Sequence, residues 1–346
     1  MKHKKMDYAS AGVDIAAADC AKEKIKLLAR ETFNRSVLSE IGAFGGFFKP
    51  DLKGYAKPVL VSSCDSVGTK LKIAFMANRH DTIGEDIVNH CINDILVHGA
   101  KPLFFLDYIG IGKLQPAVVA EIVKGLSNGC KNAGMALIGG ETAELPDLYA
   151  PGEYDLAGFI VGIVDQNRII DGTTIKDGDA IIGLGSNGLH TNGYSLARKI
   201  VFEMAGHRHD YHVDSLGMAI GEALLMTHRS YLKPIMSLLK KYNMEGMAHI
   251  TGSGIGGNLV RILSDKLTAV IHKGKWPIPR IFEFLQKTGG VADDDMFQAF
   301  NMGIGYIIVV RKNIADKVIK ALRVSGEAAY LIGEMTKGRK EVVLKD

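Results

Sequence analysis

Long apolar runs are absent from this chain of 346 residues. The segment from Leu156 to Val164 is apolar but too short to cross a bilayer, and no stretch approaches the required length. The basic run Met1–Lys5 is followed by aspartates where a signal peptide requires an apolar core. We therefore expect a cytoplasmic protein that has no association with a membrane.

Cysteines are few and the net charge is small. The 4 cysteines show neither CxxC spacing nor pairing with histidine, which excludes a zinc motif and predicts free thiols in a reducing compartment. A net charge of +4 over the whole chain gives no reason to expect nucleic-acid binding. The basic N-terminal run is interpreted as a solvated terminus.

Glycine, in contrast, is abundant. The 40 glycines fall in clusters and not at a fixed period, so they indicate tight turns and close backbone approach to ligands. With 47% hydrophobic and 23% charged residues, the composition is that of a globular enzyme, and the length suits two domains.

Hydrophobic periodicity predicts strands and helices in both halves, hence an α/β or α+β fold. In the first half we predict strands at 58–63, 103–108, 135–138 and 155–164, and helices at 82–98 and 116–133. In the second half we predict strands at 180–184, 248–251 and 303–310, and helices at 192–205, 219–229, 231–242, 258–263 and 313–324. The turn-rich segment 169–178 predicts two domains, 1–168 and 169–346.

The hexamer from Asp65 to Lys70 directly follows a predicted buried strand. A carboxylate at a strand end is suited to hold Mg²⁺, while the Gly68-Thr69 backbone and the lysine ammonium face phosphates. The alternative is an ordinary strand-to-helix turn with solvated side chains.

The helix that follows carries polar residues on one face. Asp86, His90 and Asp94 are four residues apart and therefore project from the same side, next to Asn93. A metal or a phosphate is one candidate partner for this face. A solvated face is the alternative, and it is the expectation for Asp86.

Two glycine-containing segments are further candidates. At Gly139–Glu144 we predict a Gly-Gly turn and then a loop that carries two glutamates, either as a catalytic or metal site or as a charged hairpin. The segment Gly42–Gly46 is interpreted as a mobile lid over a nucleotide, or as a plain flexible loop.

In the second half, two segments combine a glycine turn with a helix start. His190 stands just before the helix predicted from Asn192, where it is suited to bind an anion or to act as an acid or base, although a helix cap with an incidental histidine is the alternative. The turn at 251–258 follows the same logic, with free backbone amides for a phosphate.

Two nucleotide-binding motifs are excluded. The segment from Gly183 to Gly188 fits GxGxxG, but the acidic residue at the required distance, Glu203, lies inside the next predicted helix. A nicotinamide dehydrogenase is therefore not favoured. GxxxxGK[ST] is absent from the sequence, so this is not a P-loop enzyme.

Several ordered blocks resemble one family. Asp94 and the segment Gly99–Pro102 match the Asp-x4-Gly-Ala-x-Pro motif of the AIR synthetase superfamily. Within this superfamily the chain is similar to the phosphoribosylformylglycinamidine cyclo-ligases from about residue 8 to the C-terminus, in blocks that begin at Tyr8, Arg79, Phe104, Gly139, His190 and Phe300.

The resemblance implies a two-domain PurM-like fold, in which the N-terminal sheet forms a barrel with that of a homodimer partner and ATP binds between the domains. It also implies the ATP-dependent ring closure of formylglycinamidine ribonucleotide to aminoimidazole ribonucleotide. In the mechanism that the family suggests, ATP phosphorylates the formyl oxygen before the ribose-attached nitrogen closes the ring. Mg²⁺ and a lysine offset the charge on the phosphoryl group while it is transferred from ATP.

The resemblance also assigns residues. The implied catalytic residues are Lys70 and His190, the latter for proton transfer. The implied ATP-binding residues are Gly45, Gly46, Asp65, Gly68, Thr69, Lys70, Asp94, Asp107 and Glu141. The implied metal ligands are Asp65, Asp94 and Glu141. The implied substrate-binding residues are His190, Asn192, Thr251, Gly252, Ser253, Gly254 and Asn258.

The chain departs from the family pattern at Ala43, Ser66 and Ser253, where glycine is expected, and at Ile255–Gly257, which replaces a bulkier segment. These departures leave a catalytically silent ligand-binding homologue open as an alternative. A sister ATP-dependent enzyme is less favoured. Selenophosphate synthesis and hydrogenase maturation need a cysteine near the N-terminal glycine loop or at the C-terminus, and neither position has one.

Overall fold

The structure, a computed structural model, describes residues 15–346, with side chains from residue 17 onward. The basic run Met1–Lys5 and the block that begins at Tyr8 lie outside the described residues. Two compact units are present. The first comprises the residues up to Gly54 with 62–91 and 102–162, and the second comprises 55–61, 92–101 and 163–346. The domain boundary at 168/169 stays a prediction.

The described N-terminal half alternates helices with strands. The helices are α1 (Ile15–Arg30), α2 (Leu71–Ala77), α3 (Ile83–Leu96) and α4 (Pro116–Ala133). The strands are β1 (Pro58–Ser66), β2 (Lys101–Ile111), β3 (Ala136–Glu144) and β4 (Tyr154–Asp165). The predicted bounds of α4 are confirmed at both ends. The first helical position tolerates proline, which is Pro116 here, and Gly134, at φ 68°, ends the helix in the left-handed conformation.

These strands form one sheet in the order β1-β4-β2-β3. β2 and β3 are parallel, as a connection through α4 requires. On one face Phe105 is fully buried, and Cys91 of α3 approaches the carbonyl oxygen of Gly158 on β4. The opposite face, called the open face here, is formed by the alternate residues of each strand, among them Leu60 and Phe159, which are 65% and 42% exposed.

β3 differs from its prediction. We expected a Gly-Gly turn followed by a loop, but the strand continues through both glycines to Glu144. The register against β2 shifts by one residue beside Gly139, which indicates a β-bulge. A Cβ atom at Gly140 would overlap the carboxylate of Asp107 on β2. These glycines therefore provide room for a neighbouring side chain and do not form a turn.

The C-terminal half also mixes strands and helices. The strands are β5 (Ala180–Gly185), β6 (His212–Val213), β7 (Met218–Ala219), β8 (Gly246–His249), β9 (Leu267–His272), β10 (Ile304–Val310), β11 (Ala329–Lys337) and β12 (Glu341–Lys345). The helices are α5 (Tyr194–Arg198), α6 (Ile220–Leu224), α7 (Leu232–Leu238), α8 (Gly254–Leu259), α9 (Arg280–Gly289), α10 (Asp293–Ala299) and α11 (Ala315–Val324).

Six of these strands form a sheet in the order β12-β9-β11-β5-β10-β8. β5 is antiparallel to both of its neighbours, β10 and β11. The dinucleotide fingerprint belongs to a parallel sheet, so the rejection of the GxGxxG match, which begins within β5, is confirmed. The predicted mixed class of strands and helices is confirmed as well.

Several helices of the second half have other bounds than predicted. The helix expected at 219–229 is the short α6, and the helix expected at 231–242 is α7. The helix expected at 258–263 begins earlier, at Gly254, so part of the predicted glycine turn is helical. α5 continues as a π-helical segment, Lys199–Met204, which matches the end of the predicted helix 192–205.

The sequence predicts free cysteine thiols and contains no apolar stretch long enough to cross a membrane. All four cysteines, which lie within the described residues, are free thiols, as predicted. Within residues 15–346, no helix combines the length and the apolarity needed to span a bilayer.

The close contact between α3 and α4 depends on glycine. A Cβ atom at Gly84 would overlap the backbone of Ile122 and Leu126 on α4. We predict that Gly84→Ala lowers the free energy of unfolding by about 1–3 kcal/mol, because the helices must separate. Urea denaturation measures this change. The matched control is Gly256→Ala in α8, where a Cβ atom meets nothing within 4 Å. This variant should be neutral or stabilised by up to about 1 kcal/mol, and equal losses in both variants would contradict the packing argument.

Candidate active site

Asp65 lies near the end of β1. One carboxylate oxygen is 2.9 Å from Nε2 of His90 on α3, and the other accepts a 2.6 Å hydrogen bond from the Ser66 amide. The side chain is 44% exposed. The sequence therefore located a carboxylate at a strand end correctly, and the structure adds that His90 sets its orientation.

Lys70 occupies a different environment from the one expected. Gly68, at φ 67°, begins a 3₁₀ turn that ends at Lys70. The lysine ammonium is fully buried, 2.8 Å from both carboxylate oxygens of Asp86, which is also fully buried. Burial lowers the pKa of Lys70, and the charge of Asp86 opposes this shift. The expectation of a solvated Asp86 is wrong, because this residue is the partner of a buried cation. The phosphate roles of Gly68, Thr69 and Lys70 stay predictions.

Asp107 and Glu141 lie on opposite faces of the sheet. Asp107 is on the buried face, and burial, with a contribution from the nearby Glu141, raises the pKa of Asp107 to about 7. Glu141 pairs with Tyr108 in the register of β2 and β3, and it is exposed on the open face. The predicted ATP-binding residues of this sheet therefore divide between its two sides.

The glycine-rich segment interpreted as a lid forms a closed loop. Backbone hydrogen bonds of 2.9 and 2.7 Å join residues 36–38 to 47–49. Gly46 packs on β3 so closely that a Cβ atom would lie 2.9 Å from the carbonyl oxygen of Ile138. At the tip, Phe44 is fully exposed and a Cβ atom on Gly45 meets nothing within 4 Å. The loop therefore has a base fixed on β3 and a projecting tip, which are compatible with a lid. The role of this loop over a nucleotide stays a prediction.

Asp94 belongs to the second unit, where it contacts a histidine. Its Oδ1 atom is 2.9 Å from Nδ1 of His249 at the end of β8, and Asp94 is 24% exposed. The neighbouring Asn93 is fully buried: Oδ1 accepts a 3.1 Å hydrogen bond from the Tyr231 amide, and Nδ2 donates a 2.8 Å bond to the Arg229 carbonyl. The segment between α6 and α7 therefore fixes the orientation of the Asn93 amide.

His228 extends this arrangement. Its Nε2 atom is 3.1 Å from Nε2 of His249 and 3.2 Å from Nδ2 of Asn93. Its Nδ1 atom is 3.2 Å from Oγ1 of Thr191. The ring stacks on that of His190, with centroids 4.2 Å apart and planes inclined by 23°. We call His190, His228 and His249 the histidine cluster.

His190 is not at a helix N-terminus. α5 begins at Tyr194, and His190 lies in the preceding turn with a φ of 62°, in the left-handed region. Its side chain is buried, and a Cβ atom at Gly305 of β10 would overlap it, so that glycine makes room for the ring. The expected position beside exposed helix amides is therefore wrong, because the helix starts two residues later than predicted. The role of His190 in proton transfer stays a prediction.

Two of the predicted substrate-binding segments meet at Asn192. A Cβ atom at Gly252 would lie 3.5 Å from Oδ1 of Asn192. Within the described residues, the buried Nδ2 atom of Asn192 has no hydrogen-bond acceptor. A buried amide without a partner is costly, so this atom is a candidate donor to a water molecule or to a polar ligand.

The turn before α8 is held by Asn258. Its Oδ1 atom accepts a 3.0 Å hydrogen bond from Thr251, and its Nδ2 atom donates bonds of 3.0 and 2.8 Å to the carbonyl oxygens of Gly252 and Gly254. Ser253 adopts a φ of 71°, at a position where the family pattern has glycine. Asn258 thus shapes the turn from the second turn of the helix.

Sequence reasoning missed His228, His249 and the Lys70–Asp86 pair. His249 is two residues before Thr251 on a predicted strand, which was a usable signal. His228 was expected within the helix predicted at 219–229 but lies in the irregular segment after α6, so only the three-dimensional arrangement identifies its contacts.

Two protein-family models match this chain and define the class of protein to which it belongs. Residues 54–164 match the family model described as AIR synthase related protein, N-terminal domain, and residues 176–346 match the C-terminal domain of the same description. Relatives named phosphoribosylformylglycinamidine cyclo-ligase occur in Alkaliphilus metalliredigens (51% identity over 98% of both chains) and Thermodesulfovibrio yellowstonii (51% identity, 97% of this chain and 98% of the relative). The chain belongs to the phosphoribosylformylglycinamidine cyclo-ligase family.

Solved structures share the fold. A thiamine-monophosphate kinase from Stenotrophomonas maltophilia K279a aligns with a TM-score of 0.68 at 15% identity and covers 94% of this chain and 95% of its own. The hydrogenase maturation protein HypE, solved in complex with ATP, aligns with a TM-score of 0.67 at 16% identity, over 92% and 88%. At such identities the likeness concerns the fold alone.

The raised pKa of Asp107 predicts a pH dependence of stability. Below about pH 4 the folded and unfolded chains both hold this proton; between there and pH 7 only the folded chain retains it. The stabilisation is therefore fully present below the unfolded pKa and is lost as the pH rises through 7, by about 1.4 kcal/mol per unit. We predict that Asp107→Asn removes this slope, measured by urea denaturation from pH 4 to 8.

The control for this measurement is Asp214→Asn, which changes an exposed carboxylate between β6 and β7. It should leave the slope of the wild-type chain unchanged. A pH profile that is the same for wild type and Asp107→Asn would show that Asp107 titrates near its ordinary value.

Proposed function

We propose that this chain catalyses the ATP-dependent ring closure of formylglycinamidine ribonucleotide to aminoimidazole ribonucleotide, with release of ADP and phosphate. The observation that carries the proposal is the 51% identity, over 98% of both chains, to a relative named for this reaction. The residues that the family pattern assigns to the reaction are retained in this chain, apart from Ala43, Ser66 and Ser253.

Three carboxylates of the chain suit the binding of Mg²⁺ with ATP. Asp65, Asp94 and Glu141 are all at least partly accessible, and carboxylate oxygens are ligands that Mg²⁺ prefers. When bound, Mg²⁺ offsets negative charge on the transferring phosphoryl group. We assign these three residues as its ligands and the loop that contains Gly45 and Gly46 as a cover for the nucleotide.

The turns at 190–192 and 251–254 supply groups for the other substrate. The unsatisfied Nδ2 donor of Asn192 is suited to an oxygen acceptor on that substrate. His190 has an imidazole ring held by stacking, and its side chain is suited to move a proton during ring closure. The serine at 253 leaves little bulk in the turn, so the backbone remains accessible to a phosphate.

The first test measures ADP release by the full chain with Mg²⁺, ATP and formylglycinamidine ribonucleotide, together with formation of the aminoimidazole product. We predict equal amounts of ADP and product from the wild type. For Asp94→Asn we predict a loss of at least about 100-fold, because the metal–nucleotide site loses a charge. The control Asp214→Asn changes a remote exposed carboxylate and should retain full activity.

One outcome of this test would contradict the proposed reaction, and another would contradict the proposed role of Asp94. Nucleotide binding without substrate-dependent ADP release would contradict the cyclo-ligase activity and would favour a catalytically silent homologue. Full activity of Asp94→Asn would contradict its assignment to the nucleotide site while leaving the reaction intact.

The open face of the N-terminal sheet suits a homodimer. Leu60 and Phe159 are exposed on it, and half-buried apolar side chains of β2 lie between them and Gly139. A large apolar face is rarely left to water. We propose that a second copy of this chain covers it, sheet against sheet.

This proposal predicts the effect of a charge on the open face. Phe159→Asp should convert a dimer into a monomer, because an unpaired carboxylate would be buried between the copies. Sedimentation equilibrium measures the mass. The matched control is Leu331→Asp, which places the same charge at an exposed strand position of the other unit. A monomeric wild type, or a dimeric Phe159→Asp, would contradict the proposed interface.

A further inference from the structure

His228 contacts two consecutive residues of the substrate-side turn. Its ring stacks on His190 with centroids 4.2 Å apart, and its Nδ1 atom is 3.2 Å from Oγ1 of Thr191. All three side chains are buried, with His190 and His228 each 1% exposed. The side chain of His228 is therefore placed to hold the conformation of this turn from one side.

The turn needs such support. His190 has a φ of 62°, a conformation that a residue with a Cβ atom adopts at a cost of roughly 1 kcal/mol or more. Strained backbone persists only where surrounding contacts determine it. His228 supplies two of these contacts, a ring stack to the strained residue and a hydrogen bond to the next one.

The tautomer of His228 follows from the orientation of Asn93. The Tyr231 amide donates to Oδ1 of Asn93, and Nδ2 donates to the Arg229 carbonyl, so the oxygen and nitrogen of this amide cannot be exchanged. The second hydrogen on Nδ2 faces Nε2 of His228 at 3.2 Å. Nε2 is then an acceptor, and the neutral ring carries its hydrogen on Nδ1.

Two consequences follow for the neighbours of His228. The hydrogen between the two Nε2 atoms, 3.1 Å apart, belongs to His249. Because Nδ1 of His249 also lies 2.9 Å from the Asp94 carboxylate, which can only accept, this order requires a hydrogen on both nitrogens of the His249 ring. The hydrogen on Nδ1 of His228 points to Thr191, whose oxygen accepts it and whose own hydroxyl hydrogen is directed elsewhere. The order of donors and acceptors therefore runs from Asn93 through His228 to Thr191.

We propose that His228 is a positioning residue for the ring-closure reaction: locked by Asn93 as the Nδ1–H tautomer, it holds His190 and Thr191 in the strained turn by stacking and by donating a hydrogen bond. This inference rests on the proposed function, since it assigns the turn to the substrate side. His228 acts through its neighbours and is not itself assigned a contact with the substrate.

The kinetic test compares two variants. His228→Phe keeps an aromatic ring for stacking and loses the three polar contacts of His228, to Asn93, His249 and Thr191. Thr191→Val loses only the hydrogen bond between residues 191 and 228. Each should lower kcat by about 10- to 100-fold, the effect of a small misplacement of reacting groups. KM for ATP should stay unchanged, because the nucleotide site is not involved. The double variant should be no worse than the more impaired single variant, because both remove one shared interaction.

Thr191→Ser is the conservative control, since it keeps the hydroxyl group. It should restore most of kcat relative to Thr191→Val, which a purely structural role in filling space would not require. If His228→Phe fails to fold, the Thr191→Val and Thr191→Ser pair still decides the question. Wild-type kcat in Thr191→Val, or an equally large loss in Thr191→Ser, would overturn the proposal.

A second measurement does not depend on turnover. In ¹⁵N-histidine-labelled full-length protein, long-range ¹⁵N–¹H spectra distinguish the two neutral tautomers, and His228→Phe identifies the signal of His228 by its disappearance. We expect the Nδ1–H form, and an Nε2–H form would overturn the inference. A wild type that makes no aminoimidazole product contradicts the proposed function itself, which is distinguishable from an active wild type that tolerates Thr191→Val.

Discussion

The placement of Asp65 and His90 in the first unit depends on one interaction, the buried ion pair between Lys70 and Asp86. Two charges with no exposure to water are stable together and very costly apart, since removal of either partner leaves a buried charge without compensation. The pair links the 3₁₀ turn after β1 to the first half of α3. Asp65, near the end of β1, and His90, on α3, consequently meet at 2.9 Å.

Glycine has a second role throughout the molecule, namely to admit neighbours at short range. Gly140 leaves space for the Asp107 carboxylate, Gly305 leaves space for the ring of His190, and Gly84 lets α4 approach α3. In the first two cases a side chain occupies the volume that a Cβ atom would take, and at Gly84 the backbone of α4 occupies it. The abundance of glycine in the sequence thus reflects close approach more often than turns.

The sequence predicted the regular elements and the positions of the carboxylates well, since periodicity and strand-end placement depend on local spacing. α4 was predicted residue for residue, because its proline and glycine signals are local. Asp86 was misjudged because a charged residue on a polar helix face is usually solvated, and only the fold reveals the lysine that approaches it. The Gly-Gly pair in β3 was misread as a turn because a β-bulge has the same signature as a turn in one dimension.

The histidine cluster shows a different limit. Its members come from a turn, an irregular segment and a strand end, far apart in the sequence, and single histidines carry little signal alone. The family resemblance pointed to His190 through its motif, whereas His228 and His249 lie outside the sequence blocks on which the resemblance rests. Long-range side-chain contacts of this kind are set by the packing of the second unit and not by local pattern.

The left-handed conformation of His190 has an evolutionary consequence. Glycine at this position would relieve the backbone but would leave a cavity where the buried ring stacks on His228, and most other residues would inherit the strain without the imidazole. Selection for stability alone therefore does not favour glycine at position 190, because the relief of strain and the loss of packing oppose each other.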